Sequence, residues 1–104
     1  MLPFTSLNAA TATGVGSSRD LEGSFKNHTL IVSTTGTSVS GTIKLEGSHD
    51  GSLWKELTSA GFNEQQPSII EVHTYHVRYV RANLTSLSGS SPVVTASIAS
   101  GNGD

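Results

Sequence analysis

The stretch Leu45–Leu57, LEGSHDGSLWKEL, is the feature that most constrains this chain. Two alternating runs flank His49-Asp50-Gly51. Asp-Gly between alternating apolar residues is a strong hairpin signal, because glycine takes the positive φ that a tight turn needs. A two-residue Asp50-Gly51 loop would set Leu45 opposite Glu56 and Lys44 opposite Leu57, which mixes the faces. A three-residue loop with Gly51 in the left-handed bulge position sets Ile43 opposite Leu57, Gly47 opposite Leu53 and Lys44 opposite Glu56. That gives one apolar face and an opposite-charge pair on the other, so it is the expected register. Trp54, the sole tryptophan, then stands on the Lys44/Glu46/Glu56 face, away from the leucines.

The remaining segments read as further strands. Phe4–Ala12 is a first, edge strand with Pro3 at its start, followed by a loop over Gly14–Ser18 and a turn or brief strand over Arg19–Gly23. Asn27–Thr34 is dense in β-branched residues, with His28, Leu30 and Val32 on one face, and Thr35-Gly36-Thr37 punctuates it. Val39–Ser48 and Leu53–Thr58 are the hairpin arms. Ala60–Pro67 is a polar surface loop, Ser68–His73 a strand, Thr74-Tyr75 a bend and His76–Leu84 the next strand. After the turn cluster Thr85–Ser91 comes a last strand, Pro92–Ser100, with Val94, Ala96 and Ile98 on one face. Six to eight short strands at this spacing predict an all-β chain, a single antiparallel β-sandwich of jelly-roll or Ig-like type. Residues 1–13 are expected to be an N-terminal arm or edge strand, 14–100 the sandwich and 101–104 a flexible tail. At 104 residues, one modest core is feasible.

Composition narrows the function. Charged residues make up 13% of the chain, and six Lys+Arg spread singly against eight Asp+Glu leave no basic footprint for nucleic acid. There is no cysteine, hence no disulfide and no thiolate metal site. The first residues lack a basic n-region and a long apolar run, and no stretch approaches a membrane span. The expectation is a soluble protein made in a cytoplasm, with no membrane partner.

Catalytic chemistry finds little support. His73 and His76 with Glu71, joined by His49 from the hairpin, are the one cluster of ligand-like types. Their spacing is more simply that of surface histidines flanking a turn. His49-Asp50 could pair as acid and base, but the turn itself accounts for Asp50. No nucleophile–base–orienter set stands out, and Gly14-x-Gly16 precedes no helix. The chain is expected to be no enzyme and to need no cofactor or metal. Trp54, Tyr79 and Arg81 are residue types enriched in binding hot spots. In HVRYVRANL, with Val80, Ala82 and Leu84 inward, Tyr79 and Arg81 point outward. The alternative is that the Ala60–Pro67 loop covers Trp54 and that Arg81 pairs with a carboxylate such as Glu46. Partner contacts are therefore expected at Trp54, Tyr79 and Arg81, and at Phe4 and Leu7 of the N-terminal segment.

GSHDGSLWKEL followed by VRYVRANL resembles a pattern in small β-rich virion proteins of tailed bacteriophages, where a Gly-Ser-x-Asp-Gly-x-x-Trp hairpin precedes a Val-Arg-Tyr-Val-Arg-Ala-Asn strand. The likeness extends from Leu21 to Ser100. Ser48, Asp50, Gly51 and Trp54, with Arg78, Tyr79 and Arg81, also resemble discoidin-type domains, which bind carbohydrate or lipid. This chain is shorter than those and lacks their cysteines and long loops. The phage resemblance implies a structural protein of the virion, foremost a capsid decoration (cement) protein. Its partners would be the major capsid protein or other virion proteins and copies of itself. The discoidin resemblance implies a glycan-binding module for host-surface attachment.

Overall fold

The Val/Thr/Ser-rich runs that the sequence divides at Gly36 and at Thr85–Ser91 are in fact two very long strands. The computed structural model describes residues 3–63, 68–72 and 76–101. It contains β1 (Phe4–Ala10), β2 (Gly14–Val15), β3 (Arg19–Phe25), β4 (Asn27–Ser48), β5 (Trp54–Asn63), β6 (Ser68–Val72) and β7 (Val77–Gly101). β4 and β7 pair antiparallel from Asn27↔Gly101 to Ser48↔Tyr79. Every other strand attaches to this ribbon.

Halfway along, both strands turn a corner. The register shifts between Thr35 and Ser40, and the backbone takes positive φ at Gly36, Ser38, Gly89 and Ser91. Such bulged corners let strands pass from one layer of a sandwich to the other. One layer is β1, the β7 stretch Val93–Gly101, the β4 stretch Asn27–Thr35 and β6. The other is β2 and β3, the β7 stretch Val77–Ser88, the β4 stretch Ser40–Ser48 and β5. The expected all-β sandwich is thus the observed fold, with strands that cross between layers where turns were expected. β5 also runs on through Ala60–Asn63, the first half of the predicted loop; residues 64–67, the Thr74-Tyr75 bend and His73 lie outside the described residues.

The corner explains a change of parity. In β4 the buried residues are His28, Leu30 and Val32 before it but Val39, Ile43 and Leu45 after it. An irregular residue in a strand swaps the faces that follow. Leu30, Val32, Ile43 and Leu45, together with Val80, Ala82 and Leu84, and Val94, Ala96 and Ile98, close one core, which Leu7, Leu21, Phe62, Val72 and Val77 complete.

The two corners fit against each other without side chains. A Cβ on Gly36 would stand 2.7 Å from the Ser91 carbonyl oxygen, and one on Gly89 would stand 2.8 Å from that of Ser38. Both glycines also have φ near +120°. Gly89→Ala is therefore expected to cost about 2 kcal/mol through strain and displaced backbone. Thermal unfolding should fall by roughly 10 °C; an unchanged midpoint would mean the corner is not the rigid joint described here.

Candidate functional site

The hairpin tip is held by its own side chains. Asp50 Oδ1 accepts the amides of Ser52 (2.8 Å) and Leu53 (2.9 Å), while Ser48 Oγ accepts those of Asp50 (3.2 Å) and Gly51 (2.9 Å). The Leu53 and Ser52 N–H groups, with the Ser48 hydroxyl, hold the Asp50 carboxyl below its ordinary pKa. Because two amides are tied inside the turn, the first cross-strand pair is pushed out to Ser48↔Trp54, and the loop spans 49–53. The expected three-residue loop is corrected accordingly. Ile43 faces Ala60, Lys44 faces Ser59 and Gly47 faces Lys55, with a bulge at Leu57. Near the tip the displacement is two residues, which preserves faces. Trp54 therefore stands beside Ser48 on the same outer face as Lys44 and Glu46.

Across that face the strand order is β5, β4, β7, and the register sets Trp54, Ser48 and Tyr79 in one row and Glu56, Glu46 and Arg81 in the next. Two glutamates opposite each other would repel. Each has its own cation: Lys44 Nζ lies 2.9 Å from Glu56 Oε1, and Arg81 Nε donates to Glu46 Oε1 at 2.8 Å. Asn83 Nδ2 donates to the other Glu46 oxygen at 3.0 Å. Thus clamped, the Arg81 guanidinium lies over the Trp54 ring, 4.1 Å from its centroid. Trp54 and Arg81 are each half-buried, and the stack is held by contacts within the chain.

Tyr79 continues this surface beside the turn: a Cβ on Gly51 would touch its ring at 3.4 Å. Arg78 lies 5.5 Å from the centroid of the same ring and binds Asp20 of β3 through two donors, Nε to Oδ1 at 2.7 Å and Nη2 to Oδ2 at 2.9 Å. The sequence brings Tyr79 and Arg81 outward on residue parity alone. Asn83 shares that parity, and the same alternation would have found it. The Asp20–Arg78 clamp had no such signal, since it joins residues 58 apart.

Arg78 and the Glu22 amide hold the Asp20 carboxyl down to about 2 from 3.8. A carboxyl depressed in the folded state contributes stability that is full above its unfolded value and is lost as pH falls through its folded value. Melting temperature is thus expected to drop between about pH 5 and pH 2, more shallowly in Asp20→Asn. Parallel curves for the two proteins would show that this clamp does not couple to folding.

The N-terminal candidates lie elsewhere. Leu7 is 6% exposed and belongs to the core, so it is not available as a contact in the folded domain. Phe4 is half-buried against the core, with the Arg19 guanidinium 4.6 Å above its ring. Of the histidines weighed as ligands, His49 Nε2 meets the backbone oxygen of His76 at 2.8 Å. Among the described residues no three His, Asp or Glu side chains gather as a metal site. A cleft of about 450 Å³ opens on the other side of the hairpin, where Gly47, lacking a side chain, makes room for Leu57 and Val77, and Leu53, His49 and Lys55 form the rim.

The sequence matches no protein-family model, and no curated protein is significantly similar to it. Solved structures do resemble it. The SPBc2 prophage-derived protein YomS matches with a TM-score of 0.65 and 18% identity, covering 95% of this chain and 91% of its own. The fold is shared end to end. The CBM32 module of AlyQ, in complex with 4,5-unsaturated mannuronic acid, matches at TM-score 0.57 and 13% identity over 93% of this chain and 76% of the module chain. A family 89 glycoside hydrolase from Clostridium perfringens gives TM-score 0.64 and 10% identity over 96% of this chain but only 14% of the enzyme. At these identities the likeness is one of fold. Of these three, the prophage protein and the binding module are matched over most of their length, whereas the enzyme shares only a small portion.

Proposed function

We propose that this chain is a non-enzymatic structural protein of a tailed-bacteriophage virion, acting by adhesion as a capsid decoration protein. The observation that carries this reading is the Trp54–Arg81–Glu46 stack on the outside of a sheet. The only tryptophan of the chain is kept out of the core and locked by a clamped arginine, an arrangement that spends no ordering entropy on contact. The end-to-end likeness to a prophage-derived protein supports the phage assignment. The partner is the major capsid protein or a neighbouring virion protein, the protein is made in the host cytoplasm, and many copies on a shell supply avidity. Purified protein added to shells that lack it is expected to bind and to raise their melting temperature. Shells that ignore it overturn the decoration role.

The second reading is a carbohydrate-binding module for host-surface attachment. It is favoured by the apolar-floored cleft beside the hairpin and by the fold shared with the CBM32 module. The two readings use different surfaces. Leu53, 80% exposed, lines the cleft and, although next to Trp54 in the chain, takes no part in the Arg81 clamp. Leu53→Ser should leave shell binding intact and abolish any signal on a glycan array.

A further inference from the structure

Charge is divided very unevenly between the two layers. The strands of the layer containing Arg81 carry nine charged side chains: Arg19, Asp20, Glu22, Lys44, Glu46, Lys55, Glu56, Arg78 and Arg81. The strands of the other layer carry one, Glu71. Surfaces of small soluble domains ordinarily mix charges of both signs throughout. Here the outer sheet face carries a single charge, Glu71 at its β6 edge, and two isoleucines stand exposed on it, Ile31 at 43% and Ile69 at 65%. They are direct cross-strand partners, so they form one apolar ridge on one face.

The row through that ridge runs across all four strands as Thr5–Ser97–Ile31–Ile69. Its β4–β6 half is bulky and its β1–β7 half is small. We propose that this face is a self-association surface, which a second copy of this chain covers through an isologous, two-fold contact. An axis lying between two such faces and running along the strands reverses the row. Ile69 of one copy then meets Thr5 of the other, and Ile31 meets Ser97, bulky on small throughout. An axis across the strands would instead set Ile69 against Ile69. Reversal also carries Glu71, at the β6 edge of the next row beside Thr29, to the far side from its copy, so like charges stay apart. A charged partner would gain nothing here, because the face offers no counter-charge at its centre.

The face is small. Four strands about 4.8 Å apart and about five residues deep give roughly 300 Å² per copy. A stable complex needs about 800 Å² per partner. The contact is therefore weak in free solution and becomes effective where many copies are held close together. This inference does not rest on what the Trp54 face binds.

Sedimentation equilibrium of the full chain from about 10 µM to 2 mM tests it. The wild type is expected to pass reversibly from monomer to dimer, and Ile31→Lys, which brings two ammonium groups to the contact, to stay monomeric across the range. If Ile31→Lys fails to fold, as judged by circular dichroism, Ile69→Lys on the edge strand carries the same expectation. Trp54→Ala should dimerise like the wild type. A wild type that is monomeric at 2 mM, or a folded lysine variant that still dimerises, overturns the proposal.

Discussion

Deletion of residues 1–13 is expected to unfold the isolated domain, because this segment is built into the sandwich. A loose docking arm could be cut away without harm. β1 instead contributes Leu7 to the core and packs Phe4 against it. Truncating one such leucine costs about 2–5 kcal/mol. The adjacent Ser6 adds a second loss. Its hydroxyl accepts the Ala82 amide at 2.9 Å and donates to the Ser17 carbonyl at 2.7 Å, so three segments meet at one oxygen atom. Gly16 packs so closely on the Ser6 carbonyl that no side chain fits there. Without β1 the buried Ala82 amide has no acceptor from Ser6, a cost of about 1–3 kcal/mol. The combined loss rivals the whole stability of a small domain, about 5–15 kcal/mol. Denaturant titration should show the truncated chain unfolded in buffer, with Leu7→Ala folded but weakened by about 3 kcal/mol. A truncated chain with a full cooperative transition would return the segment to the role of an arm.

That outcome bears on what the sequence could disclose. Strand faces were legible wherever period two ran undisturbed, as at Leu30/Val32, Val80/Ala82/Leu84 and Val94/Ala96/Ile98, and so was the outward parity of Trp54, Tyr79 and Arg81. The pairing of Arg81 with Glu46 was legible as one alternative. β1 was harder, because the register shift between Thr5 and Leu7 goes with burial of Ser6 and Leu7 in succession, which no alternation predicts. Glycine and serine clusters at 35–38 and 88–91 signal a chain reversal and a bulged corner equally well, since both need positive φ. Only pairing along the whole of β4 and β7 decides between them. The hairpin loop differs from its sequence signal for a local reason: Asp-Gly suggests a short turn, but one Asp50 oxygen holds two amides that a tighter turn would send across the ladder.

Trp54→Ala is expected to lower affinity for the shell at least about 30-fold, the roughly 2 kcal/mol loss that marks a central aromatic anchor. The effect on folding should be small, since Trp54 lies outside the core and its main neighbour is an arginine already held by Glu46 and Asn83. Arg81→Ala is a poorer probe, because it strips the counter-charge from a Glu46 side chain only 13% exposed and so destabilises the fold as well. Arg81→Lys keeps the charge but gives up the planar stack and the fixed fork of donors. If the platform binds as a unit, Arg81→Lys loses part of the affinity in the wild type and almost none in the Trp54→Ala background, because the ring it stacks on is gone. Independent, additive losses would mean the two residues touch the partner separately. Unchanged affinity in Trp54→Ala would remove this face from the contact and leave the cleft behind the hairpin as the binding surface, with Leu53→Ser then the variant that fails.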